Sequence, residues 1–278
     1  MSSKFSIAGL AQAFQVSRSG YYAWAKRQVQ SGPRARQNQI LLAQIRILHQ
    51  EHQSRYGSPR IWASLRRLGL SCGHNRVARL MKLNGIRARQ KRCFRPRTTQ
   101  PGQGAAANLL AQVPAPQAPD QIWVSDITYV ATRQGWLYVA AVMDLFSRRI
   151  VGWHAASSLE SLLVEEALKQ ALQSRRPAPG LLHHSDRGIQ YTSSGFLELL
   201  RSCNIIPSMS QTGHCYDNAA MESFWSTLKS ELVHDADFYS RSQAVRALFE
   251  YLELYYNRKR LHSALDYQTP VEYEYVNN

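Results

Sequence analysis

The sequence predicts an α/β domain preceded by a basic, all-α region, and three observations predict it. Charge is lopsided: residues 1–110 hold 20 of the 34 Lys and Arg and a single acid, Glu51. The apolar pattern changes at residue 122, from helical spacing to runs rich in β-branched and aromatic residues. Between the two lies PRTTQPGQGAAANLLAQVPAPQAP, residues 96–119, rich in Pro, Gly and Ala and poor in charge, which reads as a linker.

The basic region reads as two helix–turn–helix segments, 1–30 and 31–95. In the first, residues 10–14 are helical, 15–17 turn with Ser17 as an N-cap, and 18–27 form a second helix carrying Tyr21, Tyr22 and Trp24. In the second, a long helix at 35–53 and another at 60–68 precede the turn 70–73. Asn75 is then placed to cap a helix ending at Leu83. On that helix Val77, Leu80 and Met81 share one face, and Arg76, Arg79 and Lys82 share the other. A helix that buries one side and offers cations on the other suits phosphates or a groove. Arg18 adds a cation to the first segment. A solvated basic face is the bland alternative, which the shared sign across residues 1–97 opposes.

Residues 120–278 read as the α/β domain. Strands are expected at 122–132, 136–146 and 148–155, a helix at 158–175, a strand at 181–185, a helix at 194–202, a strand at 205–209, and helices at 217–232 and 241–256. Three antiparallel strands followed by alternating helices and strands match a ribonuclease-H-like fold.

Size and composition bound the rest. At 278 residues and 44% hydrophobic content, one large domain plus one or two small ones can be built. No run of about 18 apolar residues exists and MSSKFSIAGL lacks signal-peptide character, so a cytoplasmic protein without membrane partners is expected. Cysteines 72, 93, 203 and 215 form no close pair, which disfavours a disulfide framework. His49, His52, Cys72 and Cys93 loosely suggest zinc, but the cysteines lie too far apart.

Three acids stand out. Asp126 lies mid-strand, where Asp is disfavoured by propensity and burial. Asp186 ends a short strand, at the edge where open α/β sheets bind ligands. Glu222 shares a helix face with Ser226 and Lys229, away from Met221, Phe224, Leu228 and Leu232. Alone, that face is an ordinary solvated Glu–Lys surface. Together the acids form a D…D…E series with 35 residues between Asp186 and Glu222.

With WVSDITYV, VMDLFSRRIVGW, HHSDRGIQYTS, SMSQTGHCYDNAAMESFWSTLKSEL and YYNRKRLHSALDYQTPVEY, the chain resembles the second-frame transposases of the IS-three insertion-sequence family. VSRSGYYAW and YGSPRIWASLRRLG fit the same family near the N-terminus. The resemblance implies an integrase-type core in which Asp126, Asp186 and Glu222 hold two Mg²⁺, with Mn²⁺ as a substitute. Strand cleavage and strand joining would then proceed by phosphoryl transfer. It also implies that Lys229 contacts DNA, that Asn218, Gln190 and Tyr191 border the site, and that double-stranded element ends and target DNA are the partners. Multimers, fusion to a first-frame protein, and a place at the bacterial nucleoid belong to the same implication. Asp144, before Ser147 and Arg148, reads equally as a turn-stabilising acid. His183 and His184 read as structural, because oxygen-rich Mg²⁺ sites rarely use imidazole. Competing readings are a nuclease of the same fold and a non-catalytic regulator of transposition. The loop 210–214, with Gly213, is expected to move during the two steps.

Overall fold

The computed structural model describes residues 6–29, 32–89, 106–210 and 218–277, in two units, Met1–Ala88 and Arg89–Asn278. The first unit is helical: α1 (Ile7–Ala13), α2 (Arg18–Val29), α3 (Pro33–Glu51), α4 (Ser58–Arg67) and α5 (His74–Leu83). Ser6 caps α1 by accepting from Gly9 N–H, and Ser17 does the same for Gly20 N–H at α2. Leu41, Ile45 and Leu48 of α3, Ile61 and Leu65 of α4, and Val77, Leu80 and Met81 of α5 form the interior of this unit. The cap expected from Asn75 is corrected: α5 begins at His74, two residues earlier than that cap would set it, behind Gly73 and with no side-chain cap. His52 stacks on Tyr56, and His49 Nε2 bonds the Arg87 carbonyl at 3.0 Å, so both imidazoles have structural partners. Cys93 lies outside the described residues.

The second unit is built on a five-stranded sheet of order β3-β2-β1-β4-β5. The strands are β1 (Ile122–Thr132), β2 (Gly135–Asp144), β3 (Ile150–Ala156), β4 (Leu182–Ser185) and β5 (Ile206–Met209). β1, β2 and β3 form an antiparallel meander, and β4 and β5 add in parallel. The helices are α6 (Ser161–Arg175), α7 (Ser194–Ser202), α8 (Ala219–Leu228), α9 (Arg241–Phe249) and α10 (Pro270–Asn277). Trp123, Ala140, Val142 and Val151 of the sheet pack with Leu163, Val164, Leu168, Phe196 and Leu200 of α6 and α7. The strand pleat sends Asp126 to the opposite face from Trp123 and Ile127, where α8 runs beside β1.

Gly152 makes the close approach of β3 and α6 possible. A Cβ there would lie 2.3 Å from the Ala167 carbonyl oxygen and 2.6 Å from the Ala171 nitrogen. Both atoms are backbone, so the helix could not yield without breaking its own hydrogen bonds.

Three features were not expected from the sequence. The helices at 219–228 and 241–249 each continue into π-helical turns, Lys229–Val233 and Glu250–Tyr256. The first turns Glu231 inward, where Arg260 pairs with it at 2.9 Å and the Tyr251 hydroxyl donates to it at 2.8 Å. The C-terminal helix α10 also lacked an expectation. It brings Glu274 onto Arg149, Arg175 and Ser147, beside Asp144. Within the Pro/Gly/Ala-rich stretch, residues 106–110 lie along β5: Leu109 and Leu110 N–H both donate to Ser208 Oγ.

Candidate active site

Asp126 sits at the point where β1 loses its parallel neighbour. β4 pairs with β1 only at Ile122, Trp123 and Val124, so beyond residue 124 that edge of β1 carries no strand. The half-buried Asp126 carboxylate is held by two donors: Ile127 N–H at 2.8 Å and Trp225 Nε1–H, from α8, at 3.1 Å. Burial, then the charge of Asp186, pushes its pKa up to about 7. The two hydrogen bonds oppose that rise, and Glu222 adds to it.

Asp186 follows β4 directly. Its Oδ1 accepts from Gly188 N–H at 2.9 Å, and burial raises its pKa against that bond. Gly188 fits there because a Cβ would meet the same carboxylate oxygen at 2.9 Å. Arg187 Nε donates to the Ser210 carbonyl at 2.7 Å, which ties the loop to the end of β5.

Glu222 is exposed in the first turn of α8, with Ser226 exposed on the same face and Met221, Phe224 and Leu228 buried. Asn218 precedes the helix and donates through Nδ2 to the Ser125 carbonyl at 3.1 Å. The loop 210–214 beyond Ser210, and Asp217, lie outside the described residues. Among the described residues, no group of three or more His, Cys, Asp or Glu side chains is placed to hold a metal ion. The charges of Asp186 and Glu222 nonetheless both act on Asp126.

The neighbours fall into clear places. Lys229 Nζ lies 4.8 Å from the centroid of the Tyr129 ring, three residues beyond Asp126 on β1. Gln190 is buried and donates to the Leu159 carbonyl. Tyr191 is buried against Phe196 and His183. His183 bonds Ser125 Oγ at 2.7 Å, and burial, with His184 beside it, drives its pKa down to about 3. His184 bonds Ser208 Oγ and Ser210 Oγ. Both imidazoles are thus interior hydrogen-bonding groups. Asp144 is buried, accepts from Asp120 N–H and Ser147 N–H, and closes the turn after β2. Trp225, which holds Asp126, was not singled out from the sequence.

In the helical unit, Arg79 and Lys82 are exposed, as is Arg18. Arg76 corrects the outward reading: its Nε donates to Asn38 Oδ1 at 2.8 Å, bracing α5 against α3, and its Nη2 is buried.

Comparison with known proteins agrees with this layout. Models described as an integrase core domain match residues 116–215 and 204–270, and an HTH-like domain matches 36–94. A 31 kDa protein of insertion element IS600 from Shigella sonnei is 41% identical over 95% of this chain and 97% of its own. Transposase InsF of insertion sequence IS3A from Escherichia coli (strain K12) is 36% identical over 99% of this chain and 96% of its own. The chain belongs to the IS3 family of transposases. Among solved structures, the HTLV-2 integrase catalytic core in complex with magnesium matches 56% of this transposase and 97% of that chain, at 17% identity and TM-score 0.43. The transposase joins an HTH-like domain to an integrase core domain whose antiparallel meander, extended by two parallel strands, has the ribonuclease-H-like layout, and no helix among its described residues is long and apolar enough to cross a membrane.

Proposed function

We propose that this transposase cuts the 3′ ends of its insertion sequence and joins them to target DNA, with Asp126, Asp186 and Glu222 as ligands for a pair of divalent cations. The observation that carries this reading is the state of Asp126: a carboxylate held on two donors yet pushed to about 7, partly by two other carboxylates. Crowded acids of this kind bind a hard, oxygen-seeking cation, which removes the repulsion that raises the pKa. Mg²⁺ fits that donor set, and Mn²⁺ substitutes for it.

When bound, such a pair supplies Lewis-acid stabilisation of the attacking and leaving oxygens. The chain's own groups do the rest. Ile127 N–H and Trp225 Nε1–H fix the rotamer of Asp126, and Gly188 N–H fixes that of Asp186. Glu222, on a long side chain in the first turn of α8, swings inward to complete the set. In the first reaction a P–O3′ bond breaks as water's oxygen bonds phosphorus, and the freed 3′-oxygen takes up a proton. In the second that 3′-hydroxyl attacks a target phosphodiester, losing its proton as the target 3′-oxygen leaves. No covalent bond to the protein forms.

Lys229, held over Tyr129, supplies a cation for the DNA backbone near the acids, while Gln190, Tyr191 and Asn218 border the site from the interior side. Arg79, Lys82 and Arg18 contact phosphates of the terminal repeats, and Arg76 supports α5 from behind. Two ends are paired by a multimer of this chain, alone or fused to a first-frame protein, in the bacterial cytoplasm at the nucleoid.

The test is incubation of the chain with a labelled element end and Mg²⁺, following nicked and joined products. Asp126→Asn, Asp186→Asn and Glu222→Gln each abolish both products while end binding persists. Activity in any one of them removes that residue from the site, and cleavage without joining reassigns the chain as a nuclease.

A further inference from the structure

Four buried side-chain polar atoms among the described residues lack a hydrogen-bond partner, and two of them belong to neighbours of the acids: Tyr191 Oη, which feels the charges of Asp126 and Asp186, and Asn218 Oδ1, whose amide nitrogen bonds the Ser125 carbonyl beside Asp126. Tyr191 is the sharper case. Its ring is 1% exposed, packed edge-on to Phe196 at 5.4 Å and tilted toward His183 at 6.5 Å. Its backbone N–H bonds the Gly188 carbonyl at 3.0 Å, so it moves with the loop that starts at Asp186. The charges of Asp126 and Asp186 both reach its hydroxyl. A donor buried next to two acids, yet bonded to neither, destabilises the metal-free chain. Phenylalanine would fill the same ring-shaped space without that cost.

We propose that Tyr191 is a positioning residue whose hydroxyl donates to a water of the hydration shell that enters with the divalent cation between Asp126 and Asp186. This rests on the metal-site reading above. Groups that orient a cation's hydration and carboxylate ligands tune its affinity even though they never touch the ion. A cation entering with its water supplies the oxygen acceptor that the metal-free pocket lacks.

Two measurements on the full chain test this: melting temperature in EDTA, and Mn²⁺ affinity from the electron paramagnetic resonance signal of free Mn²⁺. Tyr191→Phe is expected to melt in EDTA at or above wild type, while its Mn²⁺ dissociation constant rises roughly tenfold. A Mn²⁺ affinity within about twofold of wild type overturns the proposal, and so does a lower melting temperature in EDTA, which marks the hydroxyl as part of the resting fold. Asp126→Asn separates the two levels of inference. If wild type shows no Mn²⁺ binding that this variant removes, the metal-site reading fails and takes Tyr191 with it. If wild-type binding is present and Tyr191→Phe keeps it in full, only the role of Tyr191 is lost.

Discussion

Replacing Asp126 with Asn in metal-free buffer reads the site's electrostatics directly. The carboxyl sits at about 7 instead of 3.8, because it is buried and faces Asp186 and Glu222. Its folded-state value is raised, so its support for the fold is complete below pH 3.8 and is lost as pH rises through 7. The gap is about three pH units at ~1.36 kcal/mol each, so ionising Asp126 costs the metal-free fold about 4 kcal/mol by pH 8. Asparagine keeps the shape, cannot ionise, and gives up the bond from Trp225 Nε1–H, a loss of about 1 kcal/mol. The variant should therefore be slightly less stable than wild type near pH 4 and about 3 kcal/mol more stable at pH 8. Urea unfolding in EDTA, followed by tryptophan fluorescence from pH 4 to 8, measures the difference. A difference that stays flat across that range, or slopes the other way, refutes the reasoning. With Mg²⁺ in place of EDTA, wild type should recover its deficit and the variant should not respond.

Other outcomes follow from features away from the acids. Gly152→Ala drives a methyl group into the Ala167 carbonyl, and should lower stability by roughly 3 kcal/mol, seen in the same urea titration. Arg260→Met strands the buried Glu231 carboxylate and should cost about 3–5 kcal/mol, most of it recovered when Glu231→Met is added. Raising salt from about 50 to 200 mM should weaken binding of an element end steeply, with the logarithmic slope falling by about one for Arg79→Ala or Lys82→Ala. Arg76→Ala should leave that slope unchanged and lower the melting temperature instead, because its Nε is committed to Asn38.

The sheet and most helices were legible because their signals are local. The span 122–132 matches β1 residue for residue, and 194–202 matches α7, since short apolar runs of strand or helix period need no tertiary context. Glu222, Ser226 and the buried face opposite them were also legible, because 3.6-residue spacing fixes which side chains share a surface. What escaped depends on partners distant in the chain. Glu231 lies within the helix expected at 217–232, and only Tyr251 of the next helix and Arg260 beyond it make its burial tolerable. Arg76 counted as outward by helical angle, yet Asn38 of α3 draws its guanidinium inward. Helix α10 follows Pro270 in a stretch with little amphipathic character, and its place is set by Glu274 meeting Arg149 and Arg175. Trp225 gave no sign of its bond to Asp126, because indole donors leave no mark on spacing.

His183 has one last consequence. Bonded to Ser125 Oγ, with burial pushing its pKa down to about 3, this imidazole is neutral at pH 7. It thus supplies no countercharge, and it takes up no proton when the acids release theirs. Offsetting the charge of the acids is left to groups other than this imidazole.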